Sequence, residues 1–230
     1  PEAQIAMTEA VAATGTPLIV VIVAGSAVLV ERWRGHGAAI LQSFYSGMEG
    51  GTALARILFG DVSPSGRLPF TVARDAADYP FFDRDADRID YDYWHGYAKF
   101  ARDGIEPRYA FGHGLSYTRF ERRALRVARL DDRLAISVTL ANIGIRAGDE
   151  SILCYVGAPG GVERWPLALK AFARVSLQPG ERRTLTMYVR IDDLRYRDEK
   201  THQWRLESGD YRIVVPGDGD DEDLSIAVTL

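Results

Sequence analysis

The side chains of this sequence that could do chemistry are a few carboxylates, a cluster of aromatic rings and four histidines. Glu49 stands in Ser46-Gly47-Met48-Glu49-Gly50-Gly51-Thr52, between an apolar run ending at Phe44 and a helix-like run opening at Gly50. In open α/β sheets ligands collect outside the C-terminal ends of the strands, so Glu49 is a candidate contact for a polar substrate. The competing expectation is that its carboxylate caps the free N–H groups of the helix start. Gly47, Gly50 and Gly51 fit an anion cradle, and equally a tight turn. Tyr91, Tyr93, Trp94 and Tyr97 form an aromatic cluster. Tyr91 and Trp94 are candidates for stacking on a sugar, because both partners present apolar surface, while packing within the protein is the expected role of the cluster as a whole.

The remaining candidates lead to less chemistry. Asp83, Asp85, Asp87, Asp90 and Asp92 alternate along one stretch, but without the glycine and terminal glutamate of a calcium loop they read as a solvated loop. The run Asp218, Asp220, Asp221, Glu222 and Asp223 reads the same way. His36, His95, His113 and His202 are far apart and lack paired metal-ligand spacing, so neither a metal nor a cofactor is expected. Ser26, Ser43 and Ser116 lack the context of a nucleophile elbow.

The composition sets bounds on these readings. A chain of 230 residues with 47% apolar and 26% charged side chains can form one large domain or two small ones. The net charge of −4 and arginines interleaved with acids give no visible basic face, so no nucleic-acid partner is expected. The single cysteine, Cys154, lies in a strand-like run and reads as a buried apolar residue. The apolar run Pro17 to Val30 is too short for a membrane span and is interrupted by Gly25 and Ser26. Residues 1–16 lack the basic start and apolar core of a signal peptide. Compartment and homodimerisation stay open.

The order of patterns divides the chain in two. Pro1-Glu2-Ala3-Gln4 enters a helix at once, with Ala3, Met7, Ala10 and Val11 on one face, as expected of a chain cut from a longer polypeptide. Leu18 to Val23 is a β-branched run of the kind buried on both faces in a parallel sheet. Ser26 is placed to cap a short helix through Trp33, Ala38 to Phe44 reads as a second strand, and Leu54, Ile57 and Leu58 mark a helix opened at Gly50. Two strands are too few for a complete α/β layer. Residues 73–120 read as a long excursion. From residue 121 the alternation becomes all-β, as in Leu134, Ile136, Val138 and Leu140 and again in Leu185, Met187 and Val189. Turns at Asn142-Ile143-Gly144, Ala158 to Gly161, Gln178-Pro179-Gly180 and Ser208-Gly209-Asp210 complete the pattern of an immunoglobulin-like antiparallel sandwich. The expected fold class is therefore α/β followed by all-β, over 1–120 and 121–230.

Five segments carry a resemblance. Ser46 to Ala55, Leu58-Phe59-Gly60-Asp61-Val62-Ser63-Pro64-Ser65-Gly66-Arg67-Leu68-Pro69-Phe70, Gly104-Ile105-Glu106-Pro107 with Phe111 to Thr118, Ala147 to Glu150 with Tyr155-Val156, and Leu177 to Glu181 occur in this order. Together they resemble the C-terminal part of family 3 glycoside hydrolases, whose "LFGDxNPSGKLPxT" and "FPFGHGLSYT" segments the second and third match closely. Gly96-Tyr97 is similar to the family's "GYRYY", but Ala98-Lys99-Phe100 departs from it.

The resemblance implies a β-glucosidase-like enzyme of three parts: a (β/α)₈ barrel, an α/β sandwich and a fibronectin-III-like domain. A barrel alone needs about 250 residues, so only the second half of the sandwich and the fibronectin-III-like domain are expected here. The implied reaction is retaining exo-hydrolysis of terminal β-linked sugars, with a nucleophilic aspartate from the barrel and an acid/base glutamate from a sandwich loop upstream of Pro1. No catalytic residue is then expected on this chain. Its partners would be a carbohydrate or glycoside substrate and the missing barrel and first half-sandwich. A non-catalytic carbohydrate-binding or interaction module is the alternative, and an inactive parent enzyme a third.

Overall fold

The structure, a computed structural model, describes residues 2–217 and 221–230; Pro1, Asp218 and Asp220 of the sequence reading lie outside the described residues. The chain forms two compact units. The first holds the residues up to Asp61 together with Leu68–His113, and the second holds Val62–Arg67 together with Gly114–Leu230.

The first unit opens with helix α1 (Glu2–Ala12), followed by β1 (Ile19–Ile22), β2 (Ala39–Gln42) and α2 (Gly50–Leu58). The two strands pair in parallel, Ile19 opposite Ala39 through Ile22 opposite Gln42. Within the described residues no side chain of these four elements is buried, and Met7, Val11, Ile19 and Leu58 are exposed. An apolar helix face and a β-branched parallel strand are stable only when covered. The strands and helices thus form as the sequence predicts, but the faces that should be covered are open.

The core of this unit lies elsewhere, around Val30, Trp33, Val72, Ala73, Ala98 and Phe100. The expected helix from Ser26 to Trp33 is absent. The chain runs irregularly to Val30, makes one turn and a short 3₁₀ segment (Arg34–His36), and is fixed by burial of Val30 and Trp33. Glu31 also receives a two-pronged pairing from Arg108, one prong at 2.8 Å. Burial and this ion pair outweigh the weak helix preference of Ala27-Val28-Leu29-Val30. The excursion contains an element the alternation did not reveal, helix α3 (Gly96–Asp103), which buries Ala98 and Phe100 and ends at Gly104 with φ 63°. Phe100 packs edge-on against Tyr79 at 5.9 Å, and the Tyr79 hydroxyl donates to the Thr71 carbonyl while accepting from the Ala73 amide.

The second unit is all-β. Strands β3 (Phe120–Arg129), β4 (Arg133–Asn142) and β7 (Arg182–Arg190) form one antiparallel sheet in the order β3-β4-β7. Strands β5 (Gly148–Gly157), β6 (Ala168–Leu177), β10 (Asp210–Val215) and β11 (Leu224–Thr229) form the second, in the order β11-β10-β5-β6. The short strands β8 (Tyr196–Arg197) and β9 (Trp204–Arg205) pair apart from both. Leu134, Ile136, Val138 and Leu140 alternate inward and meet Ile152, Cys154, Val189, Tyr211 and Ile213 in a continuous core. This is the expected sandwich, with the four turn clusters at its connections. Cys154 is fully buried, and burial pushes its thiol up to about 12.

A short strap from the middle of the chain belongs to this sandwich. Ser63 Oγ lies 2.8 Å from Ser116 Oγ and accepts from the Tyr117 amide, and Ser65 Oγ accepts from Arg174 at 2.9 Å. Arg67 donates to the Gly114 carbonyl and, at 2.5 Å, to Glu150 Oε2. The approach to Gly114 is so close that a Cβ there would sit 2.3 Å from the Gly66 carbonyl oxygen. Glu150 has no exposed surface; its Oε1 accepts from Arg122 and from the Ser151 amide, each at 3.0 Å. Arg122 Nη1 is buried with no hydrogen-bond partner among the described residues.

Two outcomes are expected. Cys154 should stay unreactive toward a thiol reagent at neutral pH in the native chain and react once urea unfolds it, since only the thiolate is nucleophilic. Removing a partner from a buried charge cluster costs about 3–5 kcal/mol, so Glu150→Ala, which strands two guanidiniums, should lower stability in urea by that order. Arg67→Met should cost less, because Arg122 and the Ser151 amide still serve the carboxylate. An unchanged urea midpoint for Glu150→Ala would show that the cluster does not hold the unit.

Candidate functional site

Because β1 and β2 run in the same direction, both C-terminal ends open at one edge of the pair. Ser43 ties the ends together, its amide and hydroxyl both donating to the Ile22 carbonyl, at 2.9 and 3.2 Å, while Gln42 Nε2 donates to the Ala24 carbonyl at 2.7 Å. Phe44 turns the chain out of β2 with a left-handed φ of 54°, a conformation that a bulky residue holds only under constraint. Its ring packs edge-on against Phe70 at 6.0 Å. The next residue, Tyr45, lies over the backbone of Gly25, where a Cβ would come within 2.9 Å of the ring. The tight meeting of these two loops fixes the edge.

Glu49 sits on this edge, at the N-cap position of α2, and is exposed. Its carbonyl accepts from the Ala53 amide, but its carboxylate makes no capping hydrogen bond. The capping expectation is therefore corrected: backbone φ −90° and ψ 10° depart from the extended geometry from which an N-cap side chain reaches back to the helix amides. The carboxylate makes no ion pair among the described residues and is left free beside exposed Tyr45 and Met48. The Gly50 amide is used by the Gly47 carbonyl at 3.3 Å, which speaks for a turn at these glycines.

The excursion places the aromatic candidates differently from one another. Trp94 is half-buried, meets Tyr93 edge-on at 5.3 Å and lies 4.9 Å beneath the Arg102 guanidinium. Asp103 is held down at about 2 by its hydrogen bonds from Arg102 and Lys99, so it stays ionised through the whole range above. Tyr91 is 56% exposed and makes no ring contact among the described residues. No hydrogen bond, ion pair or ring contact joins Glu49 to either residue. Tyr97 packs on Phe111 at 5.2 Å, a packing role.

Four of the five acids of the excursion's run are engaged locally. Asp85 and Asp90 pair with Arg84 and Arg88, Asp83 accepts from the Asp85 amide and Asp92 from the Trp94 amide. Among the described residues no group of three or more His, Cys, Asp or Glu side chains could hold a metal ion. His113 stacks on Tyr109 at 4.8 Å, and its carbonyl accepts from the Leu68 amide. A shallow concavity of about 230 Å³ in the second unit is lined by Glu121, Arg122, Arg123, Gly217, Asp221 and Glu222. Glu121 is engaged by Arg123 and Asp221 by Arg119, so it does not offer a free acid–base pair.

One feature escaped the sequence reading. The arginines that look interleaved with acids along the chain are brought together by strand pairing: β3, β4 and β7 carry Arg122, Arg123, Arg126, Arg129, Arg133, Arg182, Arg183 and Arg190 against a single acid, Glu121. Three strands with eight arginines would have been a visible signal, but β3 itself does not show the alternation of a strand.

Comparison with known proteins bears on these geometries. Residues 1–117 match the family model of the glycosyl hydrolase family 3 C-terminal domain, and residues 150–218 match that of the fibronectin type III-like domain. A β-glucosidase of Rhizobium radiobacter is 36% identical over 100% of this chain, and an exo-α-(1→6)-L-arabinopyranosidase of Bifidobacterium breve is 34% identical over 100% of it. The solved structure of a Bifidobacterium adolescentis family 3 β-glucosidase superposes with a TM-score of 0.91 at 33% identity, covering 100% of this chain. The chain spans only 30%, 31% and 35% of the length of these three proteins. With more than half of its residues matched by the family model, and in an α/β unit followed by an antiparallel sandwich, the chain belongs to glycoside hydrolase family 3, whose C-terminal portion it represents.

Proposed function

We propose that this chain serves a retaining exo-β-glycosidase that removes a terminal, non-reducing β-linked sugar, and that its share of the work is to support the active site rather than to supply the catalytic pair. The observation that carries the reading is the parallel pair β1–β2 with α1 and α2 beside it, none of whose side chains is buried in the described residues. Open faces of this kind suit a larger parallel layer, completed by polypeptide that also carries a barrel. Retaining hydrolysis needs two carboxyl groups about 5–5.5 Å apart, one to attack the anomeric carbon and one to protonate the leaving oxygen and later activate water. The free carboxylate at the strand edge, Glu49, has no such neighbour described. Both catalytic groups are therefore assigned to the remainder of the enzyme.

Within this reading Glu49 is a substrate-side hydrogen-bond acceptor, since it sits free at the edge where α/β layers bind ligands. Tyr91, with its open ring, is the stacking candidate. Trp94, held between Tyr93 and Arg102, keeps the excursion in shape and contributes a ring edge at most. The sugar stays unassigned, because relatives of nearly equal identity are named for a β-glucosidase and for an arabinopyranosidase.

The purified 230-residue chain should not hydrolyse an aryl β-glucoside, and co-expression with the remainder of the enzyme should restore turnover. Turnover by the chain alone would overturn the assignment. In the intact enzyme Glu49→Gln should raise KM about tenfold with kcat little changed, as a hydrogen bond to a charged group is worth about 1.5–3 kcal/mol. An unchanged KM would remove Glu49 from the substrate side.

A further inference from the structure

The outward face of the β3-β4-β7 sheet is unlike the rest of the chain in charge. Register puts five arginines on it, Arg123, Arg126, Arg133, Arg182 and Arg190, against one glutamate, Glu121, a formal +4 in a chain whose net charge is −4, while Arg122, Arg129 and Arg183 stand opposite the inward leucines Leu140 and Leu134. Register places these groups in rows. Arg123 stands opposite Thr139 and Thr139 opposite Thr184; Arg126 stands opposite Ser137 and Ser137 opposite Thr186. Arg123 and Arg126 share a face although they are three residues apart, because the strand bulges between them at Ala124, whose φ is 54°. Phe120, Leu125 and Val127 of the same strand point into the core, and Arg122 turns inward to Glu150.

Between the arginines the floor is flat and hydroxylated. Thr139 and Thr184 hydroxyls meet at 3.0 Å, and Ala135, Ala141, Ser137 and Thr186 add no bulk. At one end Tyr188 exposes 56% of its surface, with the Arg133 guanidinium 6.0 Å from its ring. Three of the five are paired locally, Arg123 with Glu121, Arg133 with Asp132 and Arg190 with Asp192, so the free charge of the face is carried by the remaining two. Arg126 and Arg182 make no ion pair among the described residues and are exposed.

We propose that this sheet face binds a carboxylate-bearing polysaccharide. Charge complementarity selects a polyanion, since unpaired guanidiniums are planar forks that match carboxylates bidentately. The hydroxyl floor offers partners for sugar hydroxyls, and one exposed tyrosine ring offers an apolar platform. The face lacks the series of aromatic rings on which nucleic-acid bases would stack, which favours the glycan over a nucleic acid. Such a surface would hold the enzyme on acidic polymer while hydrolysis proceeds elsewhere. Polymer binding requires no turnover, so the inference stands or falls separately from the hydrolytic reading.

The test is affinity electrophoresis of the full chain through gels containing polygalacturonate or neutral dextran at about 50 mM salt, where surface charges are only partly screened. Retardation by polygalacturonate alone is expected, weakening by about tenfold or more in R126E/R182E and progressively with salt. The milder R126Q/R182Q pair should give an intermediate loss and serves if charge reversal disturbs folding, which thermal melting will show. The control R84E/R88E, at exposed positions in the excursion, should leave retardation unchanged. The proposal is overturned by absence of retardation, by equal retardation in dextran, by indifference to both Arg126/Arg182 pairs, by an equal loss in the control, or by tighter binding of duplex DNA than of polygalacturonate.

Discussion

A carboxylate with no access to water must find cations or lose its charge, and Glu150 finds two. Arg67 reaches it from the strap and Arg122 from the neighbouring sheet, while the Ser151 amide takes a further position on the same oxygen as Arg122. Burying three ionised groups is costly, and the cluster is stable only because every part arrives in register. Much follows from that requirement. The strap must cross Gly114, where only a hydrogen side chain fits against the Gly66 carbonyl, and β3 must keep Arg122 inward while the bulge at Ala124 resets the residues beyond it. The two sequence segments that most resemble the family, around Pro64 and around Gly114, are thus two halves of one structural joint.

The first unit works under the opposite condition. Its regular elements form by local preference and parallel pairing, yet its buried residues come from irregular chain and from α3. Val30, Trp33 and Phe100 do the packing that β1 and α2, by their composition, should share. This division is physically sensible if strands and helices of that region belong to a wider layer, with the irregular chain anchoring the edge. The edge itself is stiffened by Ser43, Gln42 and the constrained Phe44, so a carboxylate at Glu49 projects from a defined base.

How much of this could be read from the sequence depends on periodicity. Strands β4 and β7 alternate cleanly, β5 shows as a strand-like apolar run around Cys154, and turn residues mark their ends, so the sandwich was legible. The parallel pair and α2 were legible from β-branched runs and from Leu54, Ile57 and Leu58. Strand β3 was not, because four arginines and a bulge break its period of two; with it the basic face was lost, since a charge pattern along the chain says nothing about which strands become neighbours. Helix α3 hid in an Asp- and Arg-rich stretch, although Gly104 after Lys99 and Arg102 was a usable stop signal. The expected cap at Ser26 failed because Val30 and Trp33 gain more from burial than the segment would from a helix. At the candidate site, position was legible for Glu49 but its freedom was not, as a side-chain cap depends on backbone angles that residue types do not specify.

The strap also sets an order of events for a newly made chain. Arg67 leaves the ribosome 83 residues ahead of the Glu150 it must meet. At translation rates of about 5–20 residues per second, its guanidinium waits roughly 4–17 s in water before β5 exists. The strap lies in sequence between two stretches that both join the first unit. Neither unit is a contiguous cassette, and any graft of the sandwich onto another scaffold must carry the six residues of the strap along with it.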